Sequence, residues 1–194
     1  QFVRAGQWPS GPIALGRKVS GARLGLVGIG RIGQGIARRA EAFDMKVSYT
    51  ARHRRTDLAY DYHADAASLA RESDYLVVIT PGGEGTRNLI DARVLDALGP
   101  QGVLVIVSRG SVVDEPALID ALEAGRIAGA ALDVFHNEPQ VAERLRGLSN
   151  VLLTPHIGSA TTRTRQAMAD LAVANLTAHF AGTPLPTLIP ECRG

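Results

Sequence analysis

Three residues of this sequence have the types and the order to reduce a carbonyl. Arg109 stands in SRGSVVDE, Glu138 in DVFHNEP and His156 in LLTPHIGSAT. A guanidinium can grip a carboxylate with two parallel hydrogen bonds. An imidazolium can give a proton to a carbonyl oxygen while hydride reaches the carbon. A carboxylate beside an imidazole orients it and favours its charged form. Together the three types suit reduction of a 2-oxo acid, with the hydride coming from a bound cofactor. Each also has a plainer reading. Arg109 could pair with a helix end or with Asp114, Glu138 before Pro139 could shape a turn, and His156 after Pro155 could be a buried histidine with both nitrogens satisfied. His53, His63, His136 and His179 have no comparable setting and make no metal-binding pattern, so no metal is expected.

The cofactor is suggested by Gly28-Ile29-Gly30-Arg31-Ile32-Gly33, a GxGxxG between an apolar run and a helical pattern. In that context Gly28 permits a tight turn, Gly30 lets backbone approach a pyrophosphate, and Gly33 lets helix and sheet pack closely. The N–H groups that open the helix would hold the phosphates. About twenty residues on, such folds place a carboxylate that bonds the adenosine ribose. Here the stretch is YTARHRR, with Ala51, Arg52, His53, Arg54 and Arg55. Ala51 can neither bond the 2′-hydroxyl nor repel a 2′-phosphate, and Arg52 can fork onto one, with Arg54 or Arg55 adding charge. NADP(H) is therefore expected over NAD(H), which remains possible; the plain alternative is a solvated surface run.

These residues need a scaffold, and the pattern supplies one. Ala22–Gly28, Lys46–Thr50, Tyr75–Thr80, Val103–Val107, Ala130–Val134 and Val151–Pro155 read as strands. Helices are expected between them: over Ile32–Phe43, with Ile32, Ile36, Ala40 and Phe43 inward, and over Asp65–Asp74, Thr86–Leu98 and Glu115–Gly125. A long helix follows from about Ser159 to Phe180. Strands alternating with helices predict an α/β, Rossmann-type fold, a parallel sheet with helices on both faces. Arg109, Glu138 and His156 all fall just past strand ends, where open parallel sheets bind ligands. The connection around Asn137–Asn150 is expected to carry functional loops.

Composition narrows the class. The chain has 194 residues, 45% hydrophobic and 21% charged, and a formal net charge of +2, which does not argue for nucleic-acid or membrane partners. No apolar run approaches membrane-spanning length. The single cysteine, Cys192, excludes an internal disulfide framework and fits a reducing, cytoplasmic setting. The first residue is not Met, so the chain is expected to begin inside a longer gene product.

On LGLVGIGRIGQGIARRAEAFDMKVSY, SRGSVVDEPALIDALEAGRIAGAALDVFHNEP and NVLLTPHIGSAT, the chain resembles the D-isomer-specific 2-hydroxyacid dehydrogenases over nearly its whole length. The resemblance implies that Arg109, Glu138 and His156 are catalytic, and that Asp133 lies near the nicotinamide carboxamide. It also implies that Thr80, Pro81, Gly158 and Ser159 line the cofactor cleft, with Ser108 and Thr86 lining it more loosely. PGGEGT at Pro81–Thr86 and the non-acidic YTARHRR resemble the NADPH-linked glyoxylate and hydroxypyruvate reductase branch, and 2-ketogluconate reductases look similar. YTARHR is also similar to formate dehydrogenases, but those carry Asp at the position of Ala51 and glutamine at that of Glu138. Two departures stand out: Ile106 where most relatives have Asn, and Asp44 in a turn where Gly is usual.

Family members are longer. The resemblance implies a two-domain enzyme whose N-terminal substrate-domain segment is absent here. It reads residues 1–20 as a dimerisation arm, with Trp8 packing on a partner of a homodimer, residues 21–160 as the dinucleotide domain, and residues 161–194 as a helix and tail returning towards the substrate domain. Two alternatives stay open at this level: an NAD-linked dehydrogenase acting on 2-hydroxy acids or phosphite, and a non-enzymatic, dinucleotide-sensing corepressor.

Overall fold

Short aliphatic runs closed by glycine, proline or a capping aspartate set the order of elements. The structure, a computed structural model, describes residues 2–13 and 15–188. Cys192 and the end of the Pro-rich tail lie outside the described residues. The chain runs β1 (Arg23–Val27), α1 (Arg31–Glu41), β2 (Lys46–Thr50), β3 (Asp61–His63), α2 (Ala66–Arg71), β4 (Tyr75–Val78) and α3 (Ala92–Leu98). It continues through β5 (Val103–Ile106), α4 (Glu115–Glu123), β6 (Gly129–Leu132), α5 (Glu143–Gly147), β7 (Val151–Leu153) and α6 (Thr162–Phe180). It divides into two compact units, Gln1–Pro155 and His156–Gly194.

In the first unit the strands form one sheet in the order β3-β2-β1-β4-β5-β6-β7, with every neighbouring pair parallel. This is the expected α/β architecture. The order reverses at β1, which lies between β2 and β4, so the loops leaving β1 and β4 diverge and leave a crevice at the carboxyl ends. Leu76, Val78, Leu104 and Ile106 point to one face and are buried with Val94 and Leu95 of α3 and Leu118 and Leu122 of α4. Leu24, Leu26, Tyr49 and Val77 point to the other face and pack with Ala37 and Ala40 of α1.

That second face is unevenly covered. Tyr49, Leu26, Val77, Val105, Ala131 and Leu152 are successive lateral neighbours in one row. Tyr49 and Leu26 are fully buried in the cluster that includes α1. Val105 and Ala131 are half-buried, and Leu152 on β7 is 64% exposed.

Aspartates start the helices of the well-covered face. Asp65, Asp91 and Asp114 accept hydrogen bonds from Ser68 N, Val94 N and Ala117 N at 2.8, 3.0 and 3.1 Å. Each such cap is worth about 1 kcal/mol. α1 differs: its N-cap is Gly30, with no side-chain cap, so its opening N–H groups are left for something else.

Several element details depart from expectation. The helix expected from Thr86 begins at Ala92, because Asn88 takes a left-handed φ of 49° and Asp91 supplies the cap. α1 is rotated from its expected face: it buries Gly33, Ala37 and Ala40, while Ile32 and Phe43 are largely exposed. Small residues let the helix lie close, and a Cβ on Gly33 would fall 2.5 Å from the Gly28 carbonyl oxygen. β3 and α5 were not foreseen. β3 has three residues at the sheet edge, and α5 buries a single residue, Leu145.

In the second unit, α6 is capped by Thr161, whose Oγ1 accepts from Thr164 N at 3.1 Å. No described helix is long and apolar enough to cross a membrane.

Candidate cofactor cleft and active site

Two hollows open at the carboxyl ends of the strands and share Ile32, Ile79, Thr80 and Pro81. The first, of about 550 Å³, is lined by the glycine turn and the end of β2. Gly28 has a φ of 106°, a conformation that favours glycine, and a Cβ there would come 3.1 Å from Thr80 N. A Cβ on Gly30 would meet nothing within 4 Å, so open space lies directly in front of this backbone. The uncapped first turn of α1 contains no acid, and Arg31 and Ile32 line the same hollow. Open space and unused N–H groups at a helix start suit an anion such as a pyrophosphate.

At the end of β2, Ala51 and Arg52 line this hollow. His53 and Arg54 are exposed and are not among its lining residues. Arg55 is engaged elsewhere. Its guanidinium donates to both carboxylate oxygens of Asp57, at 2.8 and 2.6 Å, and its backbone N donates to the Tyr49 hydroxyl at 2.7 Å. The hydrogen bond from Arg55 holds the Asp57 carboxyl below the usual carboxylate range. Of the basic run, Arg52 alone lines the wall. Asp65 and Arg93 also line it, though neither was read from the sequence. Asp65 could have been noticed as a helix cap; Arg93 depends on how α3 packs and left no sequence signal.

The second hollow, of about 800 Å³, holds Thr80, Pro81, Ser108, Arg109 and Glu138 on its lining. Thr86 closes the loop after β4, donating from Oγ1 to the Pro81 carbonyl at 2.7 Å. Arg109 follows β5 and donates from a guanidinium nitrogen to the Ser108 carbonyl at 2.7 Å. Gly82 backs it: a Cβ there would lie 3.1 Å from Arg109 Cγ. The Ser108 hydroxyl is buried and has no partner among the described residues. A buried hydroxyl left unpaired costs about 1–3 kcal/mol, so this one is a candidate partner for a group bound beside Ser108.

Glu138 follows β6 and accepts from Phe135 N at 3.0 Å through Oε1. Asp133, buried at the end of β6, accepts from the Thr154 hydroxyl at 2.5 Å. Both have further partners. Arg109 and Glu138 thus line one hollow. His156, Gly158 and Ser159 belong to the second unit. There His156 has a left-handed φ of 51° and is exposed. Among the described residues no cluster of three or more His, Cys, Asp or Glu could hold a metal ion.

Residues 1–158 match the profile of the D-isomer specific 2-hydroxyacid dehydrogenase NAD binding domain. The chain belongs to this family. Among curated members of this dehydrogenase family it is 51% identical over 187 residues to hydroxyphenylpyruvate reductase of Plectranthus scutellarioides, covering 96% of this chain and 60% of that one. It is 52% identical to glyoxylate/hydroxypyruvate reductase A HPR2 of Arabidopsis thaliana, with the same coverage. Among solved structures it superposes with a TM-score of 0.89 on an NADPH-dependent glyoxylate/hydroxypyruvate reductase from Sinorhizobium meliloti in complex with NADP and malonate. That pair is 46% identical, over 98% of this chain and 60% of the other. The chain therefore spans about three fifths of the length of these dehydrogenases.

Proposed function

We propose that this chain is the cofactor-binding part of a cytoplasmic, homodimeric reductase that converts a small 2-oxo acid to the D-2-hydroxy acid with NADPH. Glyoxylate and hydroxypyruvate are the substrates favoured, in keeping with the names of its relatives. One observation carries the NADPH preference: Ala51 and Arg52 form the cleft wall at the end of β2, and the stretch Tyr49–Arg55 supplies no carboxylate there. A carboxylate there would select the 2′-hydroxyl of NAD(H), whereas a guanidinium is suited to a 2′-phosphate.

Residues 21–160 would hold the dinucleotide, with Gly28–Gly33 serving its pyrophosphate and Thr80, Ser108 and Asp133 its nicotinamide end. When bound, the cofactor supplies the hydride that adds to the carbonyl carbon. Arg109 grips the substrate carboxylate and fixes which face of the carbonyl meets the hydride donor. His156 gives a proton to the carbonyl oxygen as the C–O double bond is lost, so hydride and proton together make the alcohol. Glu138 is the third member of this catalytic set. Residues 1–20 serve as the dimerisation arm and residues 161–194 as the return to the substrate domain.

The test is to express the full-length gene product and follow oxidation of NADPH and of NADH with glyoxylate, hydroxypyruvate and 2-ketogluconate. Faster NADPH oxidation with one of these acids is expected. A preference for NADH would overturn the cofactor assignment, and absence of turnover with every acid would overturn the reductase.

A further inference from the structure

The cleft beside the glycine turn has two side walls. The order β2-β1-β4 puts Ala51 and Arg52 on one side of β1 and the loop after β4 on the other. That second wall carries Thr86, Leu89 and Arg93, and the start of α2 adds Ala64, Asp65 and Ala66. Thr86, Leu89, Ala64 and Ala66 carry no charge, so the charges on this side of the hollow are those of Asp65 and Arg93.

Arg93 lines this hollow for a structural reason. It is the second residue of α3, and the two that follow, Val94 and Leu95, are buried in the core. They pin the first turn of α3, so Arg93 is presented outward from a fixed base. Its guanidinium makes no ion pair or hydrogen bond among the described residues, in contrast with Arg23, Arg55 and Arg144, which are each held by carboxylates. Asp65 lines the same hollow, where Ser68 N donates to one of its oxygens at 2.8 Å and the Arg93 charge helps to hold its carboxyl below the usual range, without an ion pair between the two.

We propose that Arg93 is an adenine-recognition residue, with its planar guanidinium lying over the purine ring inside this hollow. The inference rests on the dinucleotide reading of the cleft and deepens it. A guanidinium stacks on an aromatic face through charge and planarity together, and Ala51, Ala64, Ala66 and Leu89 add apolar surface to the same hollow. The role differs from that of Arg52: Arg52 separates two cofactors by their 2′ group, whereas Arg93 favours any adenosine ligand.

Calorimetric titration of the chain with 5′-AMP, with 2′,5′-ADP and with nicotinamide mononucleotide tests this. Arg93→Ala is expected to weaken 5′-AMP and 2′,5′-ADP alike, by about threefold to tenfold, and to leave the mononucleotide unchanged. Arg93→Lys should recover part of the loss. Arg52→Ala should weaken 2′,5′-ADP alone. Unchanged 5′-AMP binding by Arg93→Ala, at an unchanged melting temperature, would overturn the proposal. So would a loss confined to 2′,5′-ADP, which would make Arg93 a phosphate ligand. Failure of the unsubstituted chain to bind either adenosine ligand would sink the dinucleotide reading as well, which separates the two failures.

Discussion

Gly110 and Phe135 touch backbone to backbone, so closely that a Cβ on Gly110 would lie 2.0 Å from the Phe135 carbonyl oxygen. Gly110 follows Arg109, and Phe135 N donates to Glu138. The two side chains of the second hollow are thus set by a seam between the loops leaving β5 and β6. Gly110→Ala must push these loops apart. The expected cost is about 1–3 kcal/mol, as for other overpacked sites, read by thermal melting. In the full-length protein, turnover should fall further than cofactor affinity; equal losses would show that the seam does not position Arg109.

Arg109→Lys keeps the charge and removes the fork. Hydrogen bonds to a charged group are worth about 1.5–3 kcal/mol, so kcat/KM of the full-length enzyme for a 2-oxo acid should drop about 10- to 150-fold. The rise should appear in KM if the guanidinium holds substrate and transition state alike.

Ala51→Asp restores the missing carboxylate at the end of β2. It should accept the 2′-hydroxyl of NADH and repel the 2′-phosphate of NADPH. The ratio of kcat/KM for NADPH over NADH should fall by about tenfold or more, corresponding to roughly 1.4 kcal/mol. An unmoved ratio would assign the preference to another wall.

Asp44 holds a φ of 57° in the turn between α1 and β2. Among the described residues its carboxylate receives a single hydrogen bond in return, from Ser20 at 3.3 Å. Asp44→Gly removes left-handed strain worth about 1 kcal/mol and should raise the melting temperature by about 2–4 °C.

The Arg23 side-chain hydrogen bond holds the Asp74 carboxyl below the usual carboxylate range, helped by Arg23 N at 2.8 Å. A carboxyl with a depressed folded value contributes stability that is complete above the unfolded value, near pH 3.9. That contribution is lost as pH falls from there through the folded value. Asp65 and Glu123 act in the same direction. Asp74→Asn should lower stability at neutral pH and flatten the acid side of a denaturation profile; an unchanged acid limb would contradict this.

The parallel sheet was readable because its central strands are apolar on both faces and the glycine turn sits between strand and helix. β3 was not readable, since one exposed and two half-buried residues leave no periodicity. The face of α1 was misread because Gly33 and Ala37 bury through being small, and hydrophobic spacing scores Ile32 and Phe43 above them. The basic run was legible as charge, but its division was not: Asp57, two residues past Arg55, turns that guanidinium away from the cleft, while Arg52 stays on the wall. Arg93 lay hidden because a surface arginine on a helix carries no sign of which cavity its helix borders.

The row that runs from Tyr49 under α1 to Leu152 on β7 passes from dry interior to open water across a single layer of side chains. This makes the chain two-sided as a colloid. Its outer helices carry arginine–carboxylate pairs that added salt weakens, while the bare end of the row becomes stickier as salt rises. Handling of this chain in solution is therefore governed by ionic strength in two opposing ways. Light scattering across a salt series should show association rising with salt, and Leu152→Ser should lessen it.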